Sequence, residues 1–169
     1  MLHEHYGLDL PQGLRPGFSR VVQAATDDSG REATPEDLWE LFRTEYLAPG
    51  HVGPVTLSSW STAELAAGQH EFTCELRKDG GPARRHRGTG NGPLAAFADA
   101  LAGAGIVVDI LGYTGHATTA GPGSPAMAYA ECRVDGVCRW GAGQDTSVLN
   151  ASVYAVLAAV NRTLTEDLA

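Results

Sequence analysis

His116 is the side chain best suited to move a proton at neutral pH, because imidazole titrates in that range. It stands in the run Tyr113-Thr-Gly-His116-Ala117. Tyr113 offers a hydroxyl donor three residues away, and Asp145, just after a glycine-rich run, would orient the imidazole if the fold brings the two together. Glu131 and Cys132 add a further acid and a thiol. Such a set, working without cofactor or metal, would suit a cyclisation, isomerisation or hydrolysis of a small hydrophobic metabolite, as in natural-product biosynthesis. Each residue also has a plain structural role open to it: a hydrogen-bonded histidine, a tyrosine in a pocket wall, an Asp capping a helix, a cysteine as a small buried hydrophobe. The residues alone leave enzyme and binding module both open.

The elements that must position these groups are legible from periodicity. Leu14, Phe18, Val21, Val22 and Ala25 share one helical face and predict a helix over about 14–26. Thr34-Pro35-Glu36-Asp37 then supplies an N-cap, a proline at the first helical position and an acid at N3, opening a second helix to about Leu47. Ala48-Pro49-Gly50 to Pro54 reads as a linker. From Val55 the pattern changes to strands near 55–61, 70–78 and 83–89, with Lys78-Asp79-Gly80-Gly81 as a hairpin. Gly88-Thr-Gly90-Asn-Gly92-Pro93 reads as a strand-to-helix turn opening a helix over 94–102. The series then starts again, with strands over 106–114, 126–134 and 137–142 and a helix over 147–163.

This is a βββα unit occurring twice, with Gly-x-Gly runs 53 positions apart, from Gly88 to Gly141. The fold class is α+β, a pseudo-two-fold duplicated domain over 51–169 preceded by two short helices over 1–50. A single sheet of about six strands with two helices on one face would leave its other face to be covered by a second copy of the chain, so a homodimer is expected. Val134-Asp135-Gly136-Val137 is a two-residue hairpin turn. In its register Val134 pairs with Val137 and Cys132 with Arg139, so Cys132 and Cys138 point to opposite faces and do not form a disulfide. With Cys74 they give neither a CxxC pair nor a zinc ligand set.

Composition bounds the partners. The 169 residues are 43% apolar and 19% charged, a globular balance, and the formal charge of −8 argues against nucleic acid. The one dense basic run, Arg84-Arg85-His86-Arg87, reads as a solvated strand edge. No stretch approaches the roughly 18 apolar residues of a membrane span, and the N-terminus has no signal-peptide core, so a cytoplasmic protein is expected. Glycine, 21 of 169, is in excess, which points to turns or close backbone approach.

Several segments resemble the C-terminal part of the 2-isopropylmalate synthase family of leucine biosynthesis. Gly7-Leu-Asp-Leu-Pro11 through Phe18-Ser-Arg-Val-Val-Gln23, Pro35-Glu-Asp-Leu-Trp-Glu-Leu-Phe42 and Glu45-Tyr-Leu-Ala-Pro49 look like its second linker subdomain. Gly88-Thr-Gly-Asn-Gly-Pro-Leu-Ala-Ala-Phe97, Tyr113-Thr-Gly-His-Ala117, Ala128-Tyr129, Trp140-Gly-Ala-Gly143 and Ala151-Ser152 through Ala159-Val-Asn-Arg162 resemble its regulatory, or LeuA dimerisation, domain. The family's catalytic TIM barrel has no counterpart here. The resemblance implies a dimerising βββα repeat that binds leucine between its halves. It places the effector pocket on Gly90, Gly92, Leu94 and Ala95 of the first unit and on Ile110, Tyr113, Ala117, Ser124 and Ala126 of the second.

The chain departs from that family where acids are usual. Gly112 precedes the tyrosine, Gly115 precedes His116, and the following loop is Gly121-Pro-Gly-Ser-Pro125. Loss of acids beside an ammonium-binding site points to a less polar or larger ligand than leucine. The expectation is thus an allosteric, small-molecule-binding module that acts by itself or docks onto a separate barrel subunit. The alternative is an enzyme that has turned the former effector pocket to catalysis.

Overall fold

The computed structural model describes Leu2, residues 6–118 and residues 125–167. Helix α1 (Arg15–Ser29) carries Pro16 in its first turn and ends at Gly30, whose left-handed backbone (φ 73°) donates its N–H to Thr26 O. Helix α2 (Pro35–Phe42) opens on a complete capping box, with Thr34 Oγ1 accepting from Asp37 N–H and the Asp37 carboxylate accepting from Thr34 N–H. The chain then widens into a π turn over Arg43–Leu47, where the second α-helix was expected to continue, and tightens into a 3₁₀ turn over Ala48–Gly50 at the start of the expected linker.

The first βββα unit is β1 (Val55–Glu64), β2 (His70–Lys78), β3 (Arg84–Gly90) and α3 (Pro93–Gly103). The second is β4 (Val108–Ala117), β5 (Ala126–Val134), β6 (Val137–Asp145) and α4 (Val148–Asp167). The strands form two antiparallel three-stranded sheets, ordered β1-β2-β3 and β4-β5-β6, in place of the single six-stranded sheet expected. The halves join through side chains: Phe72, Cys74, Leu76, Phe97 and Leu101 of the first unit share one core with Ala128, Ala130, Cys132 and the Ala/Val face of α4.

The second sheet is covered on both faces within one chain. Its inner side packs on α4, whereas Met127, Tyr129 and Ala142 on the other side form a second core with Phe18, Phe42, Tyr46 and Leu47. The N-terminal helices thus occupy a surface that the single-sheet expectation assigned to a second copy. The first sheet needs no such cover, because its outer side is charged. Arg85 stands opposite Glu75, Arg87 pairs with Glu71, and the basic run is the exposed edge that the charge pattern implied.

The Gly-x-Gly runs proved not to be turns. Gly88 and Gly90 lie inside β3, and Gly141 and Gly143 inside β6. A Cβ on Gly88 would overlap Ala96 O and Ala100 N, and one on Gly141 would overlap Ala155 O and Ala159 N. Residues i and i+2 face one side of a strand, and alanines four apart face one side of a helix, so backbone meets backbone in both units. The Asp-Gly hairpin keeps the expected register, Val134 with Val137 and Cys132 with Arg139, and all three cysteines are free. Among the described residues no helix is long and apolar enough to cross a membrane.

Candidate functional site

A groove of about 790 Å3 opens where the start of α3 meets β4. Gly92 is the N-cap of α3 and has no capping side chain, and Pro93 at the next position has no N–H to satisfy. Among the described residues the N–H groups of Leu94 and Ala95 have no backbone acceptor. They point where an anion would sit, at the positive end of the helix.

The facing wall is an edge strand. Among the described residues β4 pairs only with β5, and its register slips between Ile110 and Gly112, leaving Leu111 as a bulge. Residues three apart on a regular strand face opposite sides, but here Ile110 opposes Cys132 and Tyr113 opposes Ala130, so the bulge puts both on the groove side. β1 carries the same slip between Leu57 and Ser59, 53 positions earlier. There Leu57 and Trp60 take the places of Ile110 and Tyr113. Trp60 stacks on Phe72 at 5.3 Å, whereas Tyr113 stands 62% exposed at the groove mouth.

Of the pocket residues named from sequence, Gly92, Leu94, Ala95, Ile110 and Tyr113 line this groove. Gly90 lies behind it, where a Cβ would come within 2.8 Å of Ala95 Cβ. Ala117 and Ala126 pair with each other at the far end of the β4–β5 ladder, away from the groove, and Ser124 lies outside the described residues. Sequence reasoning missed Asn91, Ala98, Val108 and Leu111, which also line it. Only their nearness to the named residues could have signalled them.

The five groups considered for catalysis are divided between the two faces of the second sheet. His116 opposes Met127 and Glu131 opposes Gly112 on the side of the N-terminal helices. Tyr113, Cys132 and Asp145 belong to the other side, with Asp145 opposite Ala126. The structure therefore does not bring Asp145 to the imidazole. Asp145 Oδ1 instead accepts from Ser147 N–H at 3.0 Å and Asn150 Nδ2 at 3.4 Å at the start of α4. Cys132 is buried, and desolvation pushes its thiol up to about 12, with Glu131 adding to the effect.

His116 is fully engaged. Its Nε2 accepts from Asp9 N–H at 3.2 Å and lies 2.9 Å from the Tyr129 hydroxyl, while Nδ1 is 3.2 Å from Ala117 O. A backbone N–H can only donate, so Nε2 is the acceptor and Nδ1 carries the proton toward the carbonyl. Burial raises the Tyr129 phenol well above its ordinary value and keeps it a donor. Among the described residues no cluster of three His, Cys, Asp or Glu side chains could hold a metal ion.

Residues 32–164 match the family described as the LeuA allosteric (dimerisation) domain. Over 165 residues the chain is 45% identical to a 2-isopropylmalate synthase of Cupriavidus taiwanensis, covering 97% of this chain and 28% of that protein. It is 41% identical over 162 residues to the Thermobifida fusca 2-isopropylmalate synthase, covering 96% and 28%. A Kineococcus radiotolerans relative with the same name is 39% identical over 168 residues, covering 97% and 29%. The chain thus spans somewhat over a quarter of the length of the curated relatives it matches.

Proposed function

The chain belongs to the LeuA allosteric (dimerisation) domain family, and from that premise we propose that it is a dimeric regulatory domain that binds a small branched aliphatic acid of the leucine class. The activity it regulates is of the kind for which its relatives are named, 2-isopropylmalate synthesis. The observation that supports this most is the convergence of Gly92, Leu94 and Ala95 from one unit with Ile110 and Tyr113 from the other on one groove.

The carboxylate of such a ligand sits at the free N–H groups of Leu94 and Ala95, and its branched tail lies against Leu94, Val108 and Ile110. Burying one isobutyl group contributes about 2 kcal/mol, and a carboxylate at a helix N-terminus about 0.3–1 kcal/mol. That total corresponds to affinity no tighter than roughly millimolar, so the open groove needs a cover. A second copy seated on the β4 edge, where Val107, Leu111, Tyr113 and Val148 are exposed, supplies it. Ligand binding and dimerisation then reinforce each other.

Isothermal titration with leucine, isoleucine, valine and their 2-oxo acids, together with sedimentation equilibrium with and without ligand, tests the reading. Heat from at least one acid and a ligand-strengthened dimer are expected. Absence of heat from all of them would sink it.

A further inference from the structure

We propose that the groove selects branched aliphatic carboxylates that lack an α-ammonium group, 2-oxo or 2-hydroxy acids, over the corresponding amino acids; this rests on the groove being the ligand site. The inference comes from where the carboxylates around the groove point. Asp109 carries the only carboxylate among the described residues that line it. Its side chain is turned away, because Asp109 opposes Arg133 on the far face of the sheet and its Oδ2 accepts from Arg133 Nη2 at 3.1 Å and Nε at 3.4 Å.

Other acids are engaged elsewhere or absent from the sequence nearby. Asp99, on α3, accepts from Thr89 N–H at 2.9 Å, and residues 110–130 contain no Asp or Glu. The Asn91 amide oxygen already accepts from Gln69 Nε2 at 3.0 Å. What the groove does present is the positive end of α3, which attracts a carboxylate and opposes an ammonium group. An ammonium desolvated here would exchange its water shell for neutral backbone carbonyls of the β4 edge, with no carboxylate of the same chain turned toward it. A 2-oxo or 2-hydroxy oxygen needs only a donor, and the Tyr113 hydroxyl at the mouth is one.

The test is isothermal titration of the whole chain with L-leucine, 4-methyl-2-oxopentanoate and 4-methylpentanoate in one buffer at neutral pH. The 2-oxo acid is expected to bind at least about tenfold more tightly than leucine, the ratio set by roughly one charge-assisted hydrogen bond. A smaller ratio, or tighter binding of leucine, overturns the selectivity and leaves the groove as the ligand site. Binding by none of the three overturns the ligand site itself, and this inference with it.

The Ala95→Glu variant places a carboxylate on the wall at an exposed position of the first helical turn. It is expected to shift the ratio toward leucine by about tenfold, the worth of one charge-assisted partner. An unchanged ratio in a variant with the parental circular dichroism spectrum shows that selection occurs elsewhere. Ala98→Glu, one turn along, is the second variant should Ala95→Glu fail to fold.

Discussion

Asn161 holds Val55 by both of its backbone groups. The Asn161 Oδ1 accepts from Val55 N–H at 2.9 Å, and Nδ2 donates to Val55 O at 2.8 Å, as a neighbouring strand would. The same Nδ2 donates to Pro49 O at 2.6 Å. A fully buried amide on the last helix therefore fixes the first strand and the linker before it. Asn161→Leu, close in size, leaves the Val55 N–H and two carbonyls without partners and is expected to cost about 2–4 kcal/mol. Urea unfolding followed by tryptophan fluorescence measures it. A loss below about 1 kcal/mol would show that water replaces the amide.

The in-strand glycines give a sharper contrast. Gly141→Ala pushes a methyl into Ala155 O and Ala159 N, backbone atoms that cannot rotate away, so α4 must lift from β6. That change is expected to cost about 3 kcal/mol or more, in the range of severe overpacking. Gly112→Ala meets nothing within 4 Å and should stay within about 0.5 kcal/mol of the parent. Equal effects of the two substitutions in thermal unfolding would contradict the packing role.

The in-strand glycines mark what the sequence could and could not convey. The order of strands and helices was legible because its signals are local: a capping box at Thr34, a proline at position 93, an Asp-Gly pair whose backbone does turn left-handed (φ 52° and 78°). The glycines of β3 and β6 misled because a glycine needed for close helix approach looks the same as one needed for a turn. The bulge at Leu111 was invisible for a related reason. Nothing in Ile110-Leu-Gly-Tyr113 breaks the alternation until the partner strand is known, yet it decides which face Tyr113 joins. Five of the pocket residues named from sequence did meet in one groove, while Ala117 and Ala126 went to the other end of the same strand pair.

Buried thiols make stability fall at alkaline pH. Desolvation pushes Cys74 up to about 11 and Cys132 up to about 12 from the ordinary 9.0. Between pH 8.5 and 9.5 the unfolded chain releases these protons while the folded chain keeps them. The native state then binds more protons, and stability declines as pH rises, approaching about 1.4 kcal/mol per pH unit for each thiol above the unfolded value. Below about pH 8 these groups contribute no slope. Urea midpoints at pH 8.0, 8.5, 9.0 and 9.5 should show the decline, and a Cys74→Ala/Cys132→Ala double variant should flatten it.

Arg162 joins three elements at once. Its Nη1 donates to Trp140 O at 2.6 Å, its Nη2 to Glu45 Oε1 at 2.7 Å, and its guanidinium lies 4.4 Å above the Tyr46 ring. Lysine has one charged nitrogen and no planar face, so Arg162→Lys can reach the carbonyl or the carboxylate but not both. The expected cost is about 1–3 kcal/mol, the worth of a charge-assisted hydrogen bond, with a change in Trp140 emission. A substitution that moves neither stability nor emission would show the N-terminal helices are held by their aromatic core alone.

His116 anchors the N-terminal segment to β4, and its removal separates that role from catalysis. Gly7, with a left-handed backbone (φ 67°), lies against Thr118 O so closely that no side chain fits, which brings Asp9 N–H to the imidazole. Without the ring the Tyr129 hydroxyl loses its acceptor and the Asp9 amide keeps only the Tyr129 oxygen. His116→Ala is expected to destabilise by about 1–3 kcal/mol, the cost of leaving such groups unpaired. Hydrogen exchange should quicken at Asp9 and along α1 while β1, β2 and β3 keep their protection. Tyr129→Phe removes only one donor and leaves the Asp9 bond in place, so its effect on exchange at Asp9 should be smaller. Unchanged exchange at Asp9 in His116→Ala would mean that the packing of Leu8 and Leu14, both nearly inaccessible, holds the segment without the histidine.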